Sequence, residues 1–181
     1  MDSLHIERPE FQDAVLSLPE VVVTCRPQAR LTELRGGDAF REHRAWDLLP
    51  ATHGSSRQHG GWRALWLRPD GWLLNESLDC TQVRDTFGEA AEEGLCRLTD
   101  LSHSLVCVGL EGVRAAELLA TGTAIDLRPQ AFGTGCCTRT RCADFTVVIE
   151  HRAAAIDVYV DTSLAAAFWA WICDAGSVWG S

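Results

Sequence analysis

The stretch CRLTDLSHSLVCVGLEGVRAAELLATGTAIDLRPQAFGTGCCTRTR, residues 96–141, carries the strongest structural signals in the chain. Its first part, residues 98–110, is an extended apolar run whose apolar positions change parity. Leu101 and Leu105 fall on one parity, whereas Val108 and Leu110 fall on the other. Because successive side chains of a strand point to opposite faces, the change predicts a strand with a β-bulge near residues 102–104.

A short helix and a loop complete this stretch. Val113, Ala116 and Ala120 recur near one face, and Gly122 stands where a helix commonly ends, so a helix is predicted over 112–121. The connector DLRPQAF, residues 126–132, has no repeating pattern, and two glycines follow it. The predicted order is strand, helix, anchored loop, strand.

Composition limits the function classes. The formal net charge is −9, and every one of the 16 positive residues is arginine, so an extended nucleic-acid surface is not expected. No apolar run approaches the roughly 20 residues of a membrane span, and the N-terminus lacks the pattern of a signal peptide. We therefore predict a cytoplasmic protein with no membrane contact. Its eight cysteines should be mostly free thiols.

Outward from this stretch, the other elements predict an α+β fold with a mostly antiparallel sheet covered by helices. A hairpin is predicted over residues 62–75, around the turn sequence Pro69-Asp-Gly71. Strands are predicted at residues 30–35 and as a pair within 144–160. The covering helices are predicted near 78–93, 112–121 and 163–174.

The first 28 residues do not follow the pattern of this domain, which we place at 29–181. A short helix over Pro9–Leu18 would present Phe11, Val15 and Leu18 on one side, and so short a helix needs a surface to pack on. Residues 1–28 are predicted to be an arm that docks on a partner chain; a disordered tail is the alternative. Deleting them should leave the domain folded.

Two tryptophans of the last helix cannot share a face, because residues two apart on a helix are separated by about 200°. Trp171 falls on the apolar stripe with Leu164, Phe168 and Ile172. Trp169 must point elsewhere, and Trp179 lies beyond Gly176, where the helix should stop. We predict that Trp169 and Trp179 contact a partner subunit.

Candidate catalytic and metal sites in the sequence are weak. Asp100, Ser102 and His103 resemble parts of a catalytic triad, but no nucleophile motif accompanies them, and hydrogen bonds that stabilise the bulge are the better interpretation. Cys136, Cys137 and Cys142 do not have zinc-site spacing.

Other candidate residues also lack the patterns that ligand binding needs. His53 and His59 lie in a predicted loop, residues 50–61, without partners at ligand spacing. Gly133-Thr-Gly135 is too short to hold a phosphate. No catalytic, cofactor-binding or metal residue is therefore predicted in this chain.

Four segments occur in the same order as in a known protein family. DLSHS (100–104), the glycine-bounded helix 112–122, DLRPQAF (126–132) and the following Cys-x-x-Thr-Arg region resemble the gamma subunit of heterotetrameric sarcosine oxidase. That subunit is related to the folate-binding domain of glycine-cleavage aminomethyltransferases. The resemblance extends from about residue 30 to about residue 175.

The resemblance implies a role that the residues alone do not give. In that family the gamma chain is a structural member of a heterotetramer with alpha, beta and delta subunits, and FAD, FMN, NAD, tetrahydrofolate and zinc belong to the other subunits. The implied complex oxidises an N-methyl amine such as sarcosine and passes the one-carbon unit to tetrahydrofolate. Two alternatives stay open: a stand-alone folate-binding or aminomethyltransferase-like protein, for which Asp100 or Asp126 would be the pocket acid, and an unrelated scaffold.

Overall fold

Two antiparallel β-sheets form the centre of the molecule. The structure is a computed structural model that describes residues 14–26 and 29–178. In spatial order, the six strands of sheet one are β1 (Val15–Leu18), β2 (Val21–Cys25), β8 (Leu105–Glu111), β11 (Ile156–Asp161), β10 (Phe145–His151) and β9 (Cys137–Cys142). The five strands of sheet two are β4 (Ser56–His59), β5 (Trp62–Arg68), β6 (Gly71–Glu76), β3 (Arg30–Gly36) and β7 (Cys96–Asp100). The predicted α+β class with antiparallel pairing is confirmed.

Helices cover the outer face of each sheet, so the layers run helix, sheet, sheet, helix. The helices α2 (Ala115–Ala120) and α3 (Ala165–Ser177) pack on sheet one around a core that includes Val108, Leu118 and Phe168. The helix α1 (Gln82–Glu92) and the 3₁₀ turns Asp38–Glu42 and Arg44–Leu48 cover sheet two. A third, smaller core lies between the sheets.

The change of parity in the opening stretch has a different cause from the one predicted. Residues 98–110 are not one bulged strand: β7 belongs to sheet two and β8 to sheet one, and residues 101–104 carry the chain across. Because β7 and β8 lie in different sheets, each strand buries its own face. The apolar positions of the two strands therefore need not have the same parity. A β-bulge and a crossing between two sheets produce the same change of parity in a sequence.

The prediction that residues 1–28 stand outside the packed domain is wrong for residues 15–25. These residues form the hairpin β1–β2, and β2 pairs directly with β8. The predicted helix over Pro9–Leu18 is likewise wrong for residues 15–18, which are a strand. Val21 and Val23 are 1% and 0% exposed, so β2 completes the core under α3. Residues 1–13, including Phe11, lie outside the described residues.

The predicted hairpin, the C-terminal strand pair and the three helices are present, with ends that differ from the predictions. The hairpin β5–β6 and the strands β10 and β11 are where the pattern placed them. The predicted helices are shorter or shifted: α1 begins at Gln82, α2 covers Ala115–Ala120, and α3 continues to Ser177.

The predicted loop 50–61 contains a strand, β4 (Ser56–His59), which the sequence did not indicate. His59 is half-buried within it and stacks on Trp62 with a ring centroid distance of 4.9 Å. His59 is therefore part of the sheet and not an exposed loop residue. An aromatic cluster of Trp46, Trp66 and Trp72 lies on the same, helix-covered face of sheet two.

Candidate functional site

Two carboxylates on neighbouring strands bring a group of polar side chains together between the sheets. Glu150 of β10 lies directly opposite Asp157 of β11, and both face sheet two. Glu150 and Asp157 are each 1% exposed. Like charges directly opposite each other on a sheet are destabilising, so this pair requires cations nearby.

Arg26, Arg63 and Arg152 supply those cations. Arg152 Nη1 donates to Asp157 Oδ2 at 2.9 Å, and Arg26 donates to Asp157 Oδ1 at 3.3 Å. Arg63 projects from β5 of the other sheet, with its Nε 3.4 Å from Glu150 Oε1 and its Nη2 3.8 Å from Asp157 Oδ2. We call these five side chains, together with Tyr159 and Asn75, the inter-sheet cluster.

Gly109 makes the reach of Arg26 possible. It is the residue of β8 opposite Asp157, and a β-carbon there would overlap the Arg26 guanidinium group. Arg26 therefore crosses β8 at Gly109 and also meets Glu111 at 3.0 Å.

Tyr159 connects the two sheets through its hydroxyl group. The hydroxyl donates to Glu150 Oε2 at 3.3 Å and accepts from Asn75 Nδ2 at 2.9 Å and from Arg63 Nη2 at 3.3 Å. A phenolic oxygen offers one donor and two acceptor positions, so all of its hydrogen-bonding capacity is used within the cluster.

Burial and charge set the protonation of this cluster. Burial raises the pKa of Glu150, and the opposing charge of Arg63 only partly offsets it. Burial likewise raises the pKa of Tyr159 and of the Cys107 thiol well above their ordinary values. A thiol that is held neutral is a poor nucleophile. The geometry and charges therefore suit a rigid ionic link between the sheets, because both carboxylates and the Tyr159 hydroxyl are engaged by neighbouring side chains.

The segment Asp100–Ser104 is held by hydrogen bonds at the crossing between the sheets. Asp100 Oδ1 accepts from the backbone N–H and the hydroxyl of Ser102 at 2.8 and 2.5 Å, and Ser102 Oγ accepts from the Leu31 N–H at 3.1 Å. These bonds lower the pKa of Asp100. The interpretation as a structural hydrogen-bond set fits this geometry, with the sheet crossing in the place of a bulge.

The connector over residues 126–132 is anchored at both ends. Arg128 pairs with Asp126 at 2.5 Å, which lowers the pKa of Asp126 to about 2. Leu127 and Phe132 are buried against the core of sheet one, and the His151 ring nitrogen Nδ1 lies 2.5 Å from the Phe132 carbonyl oxygen. Asp126 is thus engaged with its own loop.

The cysteines considered for zinc are separated by the sheet. Cys137 faces the core between the sheets, whereas Cys142 faces the core under the helices. Within residues 14–26 and 29–178, no three His, Cys, Asp or Glu side chains are placed to share a metal ion. No helix in that part of the chain is long and apolar enough to cross a membrane.

The predicted partner-contact residues have different surroundings. Val15 is 60% exposed on the edge strand β1. Trp169 lies outside the buried stripe of α3, but it is half-buried and packs against the core of sheet one. Trp171 is half-buried as well, on the other flank of the buried stripe Ala165, Phe168 and Ile172. Phe11 and Trp179 lie outside the described residues, and partner contact by any of the four stays a prediction.

Sequence reasoning missed the inter-sheet cluster altogether. A signal was available, since Glu150 and Asp157 interrupt strands that are otherwise apolar, FTVVIEH and IDVYVD. Charges are rarely fully buried unless they are paired, so each carboxylate predicts a nearby cation. The sequence gives no indication that Arg63 of the other sheet would provide it.

Comparison with protein families gives one match. Residues 48–178 match the sequence profile of the sarcosine oxidase, gamma subunit family. Among curated proteins, no sequence matches this chain.

Solved structures share the fold. A chain of the heterotetrameric sarcosine oxidase from Corynebacterium sp. U-96 superimposes with a TM-score of 0.81 at 24% identity, covering 94% of this chain and 91% of that one. The glycine cleavage system aminomethyltransferase T from Bartonella henselae gives a TM-score of 0.61 at 14% identity, covering 84% of this chain but 45% of that one. The predicted similarity in fold to an aminomethyltransferase domain is confirmed.

Proposed function

Because this chain belongs to the sarcosine oxidase gamma subunit family, we propose that it is the structural subunit of a heterotetrameric sarcosine oxidase-like flavoenzyme. The observation that carries the proposal is the family match, which covers residues 48–178. The similarity in fold to a chain of a heterotetrameric sarcosine oxidase, over 94% of this chain, supports it.

A structural and non-catalytic role is supported by how the polar side chains are used. The buried carboxylates of the inter-sheet cluster are paired with arginines, and the Tyr159 hydroxyl is saturated by its neighbours. A catalytic acid, base or nucleophile needs an open position beside it for substrate. Asp100 and Asp126 are each engaged with residues of their own loop.

We assign to the whole complex the oxidative demethylation of sarcosine or a similar N-methyl amine, with transfer of the one-carbon unit to tetrahydrofolate. FAD, FMN, NAD, tetrahydrofolate and zinc are assigned to the alpha, beta and delta partners. The contribution of this chain would be to stabilise the assembly.

A second candidate is a stand-alone folate-binding or aminomethyltransferase-like protein. The similarity in fold to the Bartonella henselae aminomethyltransferase favours it, although this chain spans only 45% of that protein. Under this hypothesis the chain would bind tetrahydrofolate in the absence of other subunits.

Isolation of the chain from its source cell distinguishes the two candidates. As a subunit it should elute with larger chains in a yellow, flavin-containing assembly far above its own 19.9 kDa. The isolated chain should bind neither FAD, FMN nor NAD in calorimetric titrations. Elution as a 19.9 kDa monomer that binds tetrahydrofolate would instead establish the second candidate.

A further inference from the structure

A pocket of about 330 Å³ lies between the two sheets, next to the inter-sheet cluster and open to solvent on one side. Tyr159 belongs to both features, since it lines the pocket while its hydroxyl group donates to Glu150. The volume is at the lower end of the range for small-molecule sites, about 300–1,000 Å³. Neither the structural role nor the cluster accounts for this space.

The body of the pocket is apolar. Leu67 and Leu73 line it from sheet two, and Leu105 and Val148 line it from sheet one. All four belong to or pack against the core between the sheets. Such walls favour an apolar group of a ligand over water alone.

Two of the four charged groups that line the pocket neutralise each other, and the Asp161 carboxylate is held by hydrogen bonds. Glu33 is paired with Arg68, and Asp161 accepts from the backbone N–H and the hydroxyl of Ser163 at 2.9 and 2.5 Å. Arg139 is different: across residues 14–26 and 29–178, no hydrogen bond or ion pair involves its guanidinium group. The pocket therefore has one cation without a counter-ion in the described chain.

The strand register places this cation beside an apolar floor. Arg139 of β9 lies directly opposite Val148 of β10, and both line the pocket. Thr146, two residues from Val148 on the same face, is a diagonal neighbour that offers a hydroxyl donor. Asp161 lies on β11, and β10 separates it from the strand that carries Arg139. A planar anion is the group that a guanidinium fork binds most specifically.

We propose that this pocket is a binding site for a small amphipathic carboxylate, whose apolar body lies between the sheets while its carboxylate binds Arg139. The site is independent of the proposed structural role, because it uses neither the edge strand β1 nor the helix α3. The proposal and the subunit assignment can therefore fail separately.

The test uses the full 181-residue chain and 4-phenylbutyrate as the probe, titrated by calorimetry or followed by ligand-observed NMR. Saturable binding is expected, and Arg139→Gln should weaken it about tenfold, the usual effect of losing a charge-assisted hydrogen bond. Arg141→Gln is the matched control: Arg141 lies two residues along the same strand and outside the pocket lining, 3.8 Å from Asp144. It should leave the affinity unchanged.

The neutral amide 4-phenylbutanamide, titrated against the same chain, separates charge recognition from apolar burial. It should bind about tenfold more weakly than the carboxylate, because a neutral amide loses the charge assistance. Absence of saturable carboxylate binding, equal binding by Arg139→Gln and the unmodified chain, or equal binding of amide and carboxylate would each overturn the proposal. Thermal melts of both variants establish that they are folded.

Discussion

Arg63 is the side chain on which the inter-sheet cluster depends most. It projects from sheet two toward both carboxylates of sheet one and donates to the Tyr159 hydroxyl, with its side chain 18% exposed. Removing one partner of a buried ionic group costs far more than removing an exposed pair, because the remaining charge stays desolvated. The stability of the contact between the sheets is therefore concentrated in this residue.

We predict that Arg63→Met lowers the free energy of unfolding by about 3 kcal/mol, since Glu150 and Asp157 would lose the cation that both face. Urea denaturation monitored by circular dichroism measures the change. Arg128→Met is the control, because Arg128 forms an exposed pair within one loop, with 80% of its side chain exposed. That control should leave stability unchanged within the error of the measurement, as surface substitutions usually do. Equal effects of the two substitutions would contradict a special role for Arg63.

The raised pKa of Glu150 gives a pH dependence of definite sign. Between the ordinary glutamate pKa, about 4.3, and the raised value, the folded protein holds a proton that the unfolded chain has released. The free energy of unfolding must therefore fall as pH increases through this window. Glu150→Gln removes this pH-dependent contribution to the free energy of unfolding. The variant should therefore gain stability relative to the unmodified protein from about pH 4 upward.

Denaturation of both proteins across this pH range measures the difference. Carboxylates with lowered pKa values, such as Asp100 and Asp161, contribute the opposite slope. They are present in both proteins and cancel in the comparison. A relative stability that is flat or falls with pH would show that Glu150 is not the group responsible.

The hairpin β1–β2 determines the expected effect of an N-terminal truncation on stability. Deleting residues 1–28 removes Val21 and Val23, which are 1% and 0% exposed. Burying two such side chains contributes about 3–6 kcal/mol, so this truncation should abolish the cooperative thermal transition. Deleting residues 1–13 should leave the transition in place while weakening co-purification of the proposed partner subunits. If the longer truncation melts like the full chain, the hairpin is not part of the core.

The two tryptophans of α3 offer a second test at the scale of a single element. Because Trp169 and Trp171 flank the same buried stripe and are both half-buried, each alanine substitution should cost about 2 kcal/mol, below the 3–5 kcal/mol of a fully buried aromatic residue. Thermal melts compare the two. Only Trp169→Ala is expected to reduce recovery of the proposed partner subunits in a pull-down, under conditions where both variants are folded. Equal losses of assembly would remove Trp169 as a specific contact.

At the scale of the whole molecule, the layers are linked too closely to unfold separately. The chain crosses between the sheets more than once, Arg63 and Asn75 reach from sheet two to groups on sheet one, and a bridge between Ser55 and Cys136 joins their edges. A single cooperative unit should show equal calorimetric and van't Hoff enthalpies of unfolding. Differential scanning calorimetry on the full chain measures both. Two resolved transitions would mean that the sheets are independent units.

The sequence by itself determined those features that depend on local pattern. Alternation in β10 and β11, turn residues in the hairpin β5–β6 and helical spacing in α1 to α3 gave the α+β class, and the four ordered segments gave the family resemblance. Apart from the order of those four segments, each signal lies within about 15 consecutive residues, where chain geometry fixes which side chains share a face.

Only the tertiary structure decided how these elements combine. The parity change near residues 101–104 marks a crossing between sheets, and residues 15–25 are strands because β8 offers them an unpaired edge and a core to complete. The inter-sheet cluster joins Arg63 to Glu150 and Asp157 from strands far apart in the chain. Burial of a charge depends on what lies opposite it across the two sheets, and no local pattern encodes that neighbour.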